Sequence, residues 1–582
     1  MAPPAGPTGP TGGDRAPRHP APTTPTAPTV AAAPTPVPAP IPVPVPAPAP
    51  ERQAPLTGRS LAKATLLTAS LSVAGALLGL VRDQSLARLF GAGRDTDAFL
   101  VAWTVPEFAA TLLIEDGLAF ALIPAFSVAL ARRARGAAGD PVRSLIAGTL
   151  PRLALAFAAV GALVAVAAPG VVKVLAPGLP DPGLAVDCTR ITATCVVSFG
   201  LAGYCSAALR AHRRFLAPAA IYVAYNTGIV TAMFALGGAW GVRSAAFGVA
   251  VGGVLMVLTQ LPSLVGQFRA RRVTGGGGPD TGGAPRPLDV PLMATVLLFA
   301  LCRQSQVLIE RFLASSLPAG AISHLNYAQK IAQIPMTMSM MLCTVTFPVV
   351  ARALAEGDTE RARIRVERDL SVASCLVLLG TAAVVACAPQ IVHLLFQRGA
   401  FTARDTAATA GVMRVYALGL LGQTLTGVLV RSYFSAGRAT WYPVGAMAAG
   451  IAATSLIGAG TVGAYGVTGI AAANATGITL TAALLLCGMR TARHGRPRGV
   501  PVRTGPVLRE LGRPLGAAVP ATAAGALVAA RPTAPLAGFA AGGVTVTVVF
   551  VLLCWALGAQ GFAPAFRSMT AHTRRLAHAV FR

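Results

Sequence analysis

GLVRDQSLARLFGAGRDTDAFLVAWTVPEF, residues 79–108, decides the class of fold. An apolar run ends at its start and another begins at Asp97, with Arg82, Asp83, Arg88, Arg94 and Asp95 in between. The first run extends back over 60–81 and the second forward over 97–130. Each is as long as the ~20 residues that a bilayer-spanning helix needs. Pro106 stands inside the second run, where a missing backbone donor kinks or breaks a helix. The stretch therefore reads as a charged connection between two spanning helices, the second of them broken.

The rest of the chain agrees. Of 582 residues, 54% are hydrophobic and 12% charged, against about 25% charged in soluble domains. That excludes an ordinary cytosolic enzyme. Sixty-two glycines and 46 prolines suit helices in lipid better than helices in water. Fourteen apolar segments follow one another, near 60–81, 97–130, 144–168, 186–209, 217–237, 244–266, 289–315, 322–351, 370–388, 406–433, 442–461, 465–489, 515–530 and 536–558. The expected fold is an all-α polytopic membrane protein.

The net charge of +27 has the size of a nucleic-acid binder's but not its distribution. Arginines cluster in alternate loops: 131–143, 210–214, 267–288, 352–369, 434–441, 490–514 and the tail 559–582. Cytoplasmic loops retain Lys and Arg, so the alternation places both termini in the cytoplasm and makes the span number even. No nucleic-acid partner is expected. Residues 1–56 hold nineteen of the prolines, with VPVPAPAP at 43–50; this composition favours solvated polyproline II and a disordered tail. The nine cysteines lie in or beside apolar segments without a CxxC pair or neighbouring histidines. They read as small buried hydrophobes, and no metal or cofactor is expected.

A weak repeat divides the spans. Asp97 and Ala98 lead to Pro106 and then FALIPAFSVALARR; Asn326 and Tyr327 lead to Pro335 and then CTVTFPVVARAL. Two pseudo-symmetric six-helix lobes, 57–266 and 289–489, would then be joined by the linker 267–288 and followed by two C-terminal helices over 515–558. Broken helices at matching positions are how many secondary transporters build a midplane cavity.

Charges within spans are costly and tend to face a cavity. Arg82 and Arg88 are six apart, about 120° off one helical face, and would line adjoining walls. Arginine's fork of donors suits phosphate. Glu107, Glu115 and Asp116 follow the Pro106 break, and pairing with Arg82 or Arg88 is their plain reading. Arg303, Glu310 and Arg311, then Gln329, Lys330 and Gln333, form a third group; Lys330 suits an anionic ligand or an ion pair with Glu310. Arg414 and Arg431 are further candidates. No P-loop, GxSxG or HExxH occurs, so an enzyme is not expected, and transport would run on a gradient, the membrane potential or downhill flux.

Four motifs in order resemble the MurJ (MviN) family of lipid II flippases, within the superfamily of multidrug and polysaccharide exporters. They are residues 79–108, LIERFLASSLPAGAISHLNYAQKIAQIPM at 308–336, LLFQRGAFTARDT at 394–406 and YFSAGRATWYPV at 433–444. The resemblance implies a multi-pass bacterial plasma-membrane protein for peptidoglycan synthesis and cell shape. It would move a polyprenyl-diphosphate-linked precursor from the inner to the outer leaflet, with membrane lipids around it. Arg82 and Arg88 match two cavity arginines, with Asp97 in the same motif, Glu115 at an acidic position of the second span, and Lys330 in place of an arginine. Glu310 matches a span-7 carboxylate associated with a cation site in some members.

Departures accompany the match. Ala110 and Thr111 stand where the family has an arginine pair, Gln329 replaces an aspartate, and span 11 offers Glu310 no Asp or Asn. Alternatives are another polyprenyl-linked cargo, or a non-transporting scaffold recruiting cell-wall synthesis machinery. An exporter of small drugs is a third, disfavoured by the arginines. Deleting residues 1–56 is predicted to leave transport intact at matched membrane levels; loss of activity would refute the inert reading of the tail.

Overall fold

The computed structural model describes residues 58–115, 117–135, 140–270, 290–435, 440–489, 500, 502–559 and 561. The tail 1–56, Asp116, most of the 267–288 linker, the loop residues 490–499 and the basic residues after 561 lie outside these. All regular elements among the described residues are helices.

Ten helices are long and apolar enough to cross a membrane, or eleven if the bent pair Ala403–Ala417 and Leu420–Phe434 is one span. The fourteen predicted spans therefore do not all reappear as separate apolar helices. Segments 442–461 and 465–489 are two helices, as read from sequence, but they follow one another within Tyr442–Gly488 with only the turn at Gly466 (φ 54°, ψ −134°) between them. That backbone conformation is accessible to glycine and not to residues with a Cβ. The eighth segment divides at Gln333 into Ala321–Ala332 and Ile334–Ala355, since Pro335 opens the second piece. The thirteenth starts early, as Thr504–Ala529, and its first half carries Arg509, Glu510 and Arg513, which dilute its apolarity.

The helices sort into two lobes. Those from Gly58–Phe90 to Arg243–Ala270 pack among themselves, as do those from Val290–Ser315 to Tyr442–Gly488. Thr504–Ala529 and Pro535–Ala556 pair with each other and lie against Thr359–Ala386 of the second lobe. Small residues make the close crossings that lipid-embedded helices rely on: the two halves of Tyr442–Gly488 bring Gly450 against Thr481 and Gly477 against Thr454.

The second span is the most interrupted. Arg94–Ala102 gives way at Trp103 to Thr104–Ala109, then to a π-helical turn Ala110–Glu115, and then to Gly117–Ala134. Pro106 has no N–H to offer the carbonyl of Ala102 four residues back. The Thr192 hydroxyl donates to that carbonyl instead, at 3.3 Å. Wide π turns recur at functional positions, and this one needs room beside it. Gly203 supplies that room: a Cβ there would lie 1.9 Å from the Leu113 carbonyl oxygen.

Gly203→Ala should therefore cost about 1–3 kcal/mol through overpacking, whereas Gly238→Ala, with nothing within 4 Å of the new methyl, should gain about 1 kcal/mol of helix propensity. Thermal unfolding midpoints of the two variants in detergent should move in opposite directions.

Candidate functional site, a charged chamber between the lobes

The lobes meet at the end of the bundle away from the basic residues Arg132, Arg133, Arg210 and Arg214. Asp97, 3% exposed, reaches from the first lobe to the start of Ala321–Ala332 in the second. Its carboxylate accepts from the Gly320 N–H at 2.6 Å, the Ser323 N–H at 2.8 Å and the Ser323 hydroxyl. A carboxylate at a helix N-terminus satisfies unpaired N–H groups and complements the helix dipole. Beside it the Ala400 N–H donates to the Arg88 carbonyl at 2.9 Å, and the Gly178 N–H to the Ser315 hydroxyl at 3.4 Å.

Below this seal lies a small chamber lined by Arg82, Asp83, Phe99, Trp103, Asn326 and Lys330, among others. Arg82 is fixed on three sides. It donates to Asp83 Oδ1 at 3.0 and 2.8 Å and to Asn226 Oδ1 at 3.1 Å, and its guanidinium lies 4.5 Å from the Trp103 ring centroid. A ring face at that distance attracts a cation. The chamber's cavity volume is only about 10 Å³. That is room for roughly one water.

Two further carboxylates complete the cluster. Glu310, buried, accepts from the side-chain amides of Gln329 and Asn474. Glu107 accepts from Arg311 of the other lobe at 2.8 Å, while the second terminal nitrogen of Arg311 donates to the Thr104 hydroxyl. Tyr416 extends the network, receiving the Gln333 and Gln423 amides at 2.9 Å each.

A larger groove opens on the half of the bundle nearer the basic loops. It runs between Gly58–Phe90 and Leu216–Trp240, with Thr68, Ser72, Arg210, Tyr222 and Asn226 among its walls, and about 530 Å³ of it is open to water-sized bodies. Asn226 stands in the partition: it lines the groove and holds Arg82 of the chamber. Glu115 lies near this groove, accepting from the Tyr222 hydroxyl at 2.8 Å.

The predicted residues thus fall into separate places. Arg82 and Lys330 share the chamber. Arg88 does not join them: its side chain is exposed, and its carbonyl serves the lobe junction. Asp97 is in the seal and Glu115 by the groove. The plain pairings read from sequence are replaced. Glu107 binds Arg311 rather than Arg82 or Arg88, and Glu310 is held by two amides rather than by Lys330. Arg414 donates to the Val385 carbonyl at 3.2 Å. Sequence reasoning passed over Asn226, Trp103 and Asn474. The only signal available for Asn474 was an amide in an apolar span, one span later than the search for a partner of Glu310 had looked.

Comparison with known proteins decides the class. The sequence profile of the family described as lipid II flippase MurJ matches residues 86–503. The chain belongs to the MurJ family. A lipid II flippase MurJ of Burkholderia cenocepacia is 28% identical over 393 residues, covering 65% of this chain and 73% of that protein. The solved structure titled lipid II flippase MurJ, inward closed conformation, covers 86% of this chain and 100% of its own, with TM-score 0.65 and 17% identity. An inward-facing multidrug transporter of the MATE family aligns with TM-score 0.56 and 14% identity over 72% of this chain and 95% of its own. The fold is that of MurJ and MATE transporters, and the protein is a multi-pass membrane protein.

Asp97→Ala removes the helix cap and the junction together. It should lower stability by about 2 kcal/mol, while Asp97→Asn, still able to accept one bond, should lose less. Unfolding midpoints in detergent check the order; equal midpoints for wild type and Asp97→Ala would contradict it.

Proposed function

We propose that this protein moves lipid II, the polyprenyl-diphosphate-linked peptidoglycan precursor, from the inner to the outer leaflet of a bacterial plasma membrane by alternating access. The observation that carries this reading is the chamber: Arg82 from one lobe and Lys330 from the other face one buried void where the lobes join. Burying two cations in a membrane protein is expensive. Carboxylates such as Asp83 meet that cost in the closed state, and a diphosphate would meet it in the loaded one, with arginine's fork and lysine's point charge on its oxygens. Its prenyl tail would stay in lipid.

Sidedness follows from the arginine-rich loops, which cytoplasmic retention places inside together with both termini. The Asp97 seal then closes the outer end, and the groove lined by Arg210, Tyr222 and Asn226 faces the cytoplasm. In this state the chamber is too small for a diphosphate. Cargo would enter from the groove side past Asn226, and the lobes would have to part around it. The scaffold alternative rested on the absent arginines at 110 and 111. Arg311, bonded to Thr104 and Glu107 one turn away, brings a guanidinium to that region from the other lobe, so the cationic character is relocated rather than lost. Contact with cell-wall synthesis machinery remains compatible with transport but is not needed for it.

In cells depleted of their own lipid II flippase, the wild-type protein should restore growth and surface-exposed lipid II. Arg82→Ala and Lys330→Ala at matched membrane levels should fall to the empty-vector level, and Lys330→Arg should keep most of the rescue. Failure of well-expressed wild type would reject lipid II as cargo; rescue by Arg82→Ala would reject the assignment of the chamber.

A further inference from the structure

The family resemblance carries no role over to Arg311, yet it is the most buried of the cluster's cations, 5% exposed. It crosses from the second lobe and binds Thr104 and Glu107 just beside the Pro106 break of the first. The charges that act on Glu107 include three cations, Arg311, Lys330 and Arg82. The cluster is internally neutral in formal charge: Arg82, Lys330 and Arg311 face Asp83, Glu107 and Glu310. A neutral, nearly void-free cluster has no vacancy for a further anion.

We infer that Arg311 is a third cargo-binding cation and that Glu107 is its resident counter-anion, displaced when the diphosphate arrives. This rests on the polyprenyl-diphosphate reading of the cargo. A diphosphate diester brings two negative charges into the cluster. With Glu107 in place, five formal negatives would face three positives in a region of low dielectric, where like charges repel strongly. Of the three carboxylates, Glu107 is the one whose removal frees an arginine of the opposite lobe. Asp83 is adjacent to Arg82 in sequence and holds it locally at 2.8 Å, and Glu310 is held by two amides rather than by a cation. Glu107 alone bridges the lobes through an ion pair.

The displacement has a mechanical consequence. A ligand shifts a conformational equilibrium only by binding one state better than another. Cargo that takes Arg311 from Glu107 favours the state in which the lobes have parted at this bridge. Binding energy is thereby directed against the closed outer end, and an empty transporter stays shut.

The test uses the full-length protein in lipid nanodiscs with undecaprenyl diphosphate as probe. Glu107→Gln keeps the shape and a hydrogen bond to Arg311 but removes the competing charge. It should bind the probe about tenfold tighter than wild type, whereas Arg311→Gln should bind about tenfold weaker and Arg311→Lys should recover part of the loss. In proteoliposomes, Ser315→Cys at the lobe junction, 2% exposed, should react with an impermeant maleimide faster when the probe is added. In the Glu107→Gln background it should react fast without the probe, judged against the same proteins lacking Ser315→Cys. A purely structural ion pair predicts unchanged or weaker binding by Glu107→Gln, and that result overturns the inference while leaving the cargo reading standing. So does unchanged binding by Arg311→Gln. No binding by wild type and by both variants overturns the cargo reading itself, and the inference with it.

Discussion

A carboxylate embedded in a membrane protein must find donors or be neutralised, and Asp97 finds them on the other lobe. The groups that meet it are two backbone N–H groups and the Ser323 hydroxyl at one helix end. Backbone donors cannot swing away as a lysine could, so the bond holds only while the two lobes keep one relative position. That makes Asp97 a positional constraint more than a source of affinity. With the lobes joined at this end, openness is left to the half near the basic loops, where the Asn226 groove lies. The chamber, between the two, inherits its size from that closure.

Much of this architecture could be read before any coordinates. Composition and loop arginines specify a polytopic helical protein because lipid rewards long apolar runs and penalises charge, and both effects show in one dimension. Pro106 and Pro335 marked the two broken spans for the same reason, since a missing N–H is a local fact. The span count was less readable: the turn at Gly466 lies beside the boundary drawn between 461 and 465, but Thr504–Ala529 carries charge into its first turns and does not stand out as an apolar span. Pairing was least readable. Arg311 and Glu107 are 204 residues apart and meet only because the lobes do. Sequence adjacency suggested local partners such as Arg82, and nothing short of the fold could send Glu107 across the interface instead.

The two broken spans also show why breaks and charges coincide. At Trp103 and at Gln333 the helix is interrupted two or three residues before a proline. Each interruption sets a polar residue where a straight helix would present only apolar surface. Thr104 and Glu107 flank the first break, and Lys330 and Gln333 the second. In the first lobe the freed carbonyl of Ala102 is met by Thr192, which keeps the break from leaving an unsatisfied acceptor in a dry region. The chamber is therefore built from the two weakest places in the helical framework. A site intended to form and dissolve as lobes rock has reason to be there: each proline removes one bond from a ladder that otherwise runs on through Trp103 and Gln333, and a helix bends most easily where a bond is missing. The rigid parts, Arg82 held by Asp83, Asn226 and Trp103, sit on the unbroken helix beside it and give the moving parts a fixed charge to close upon.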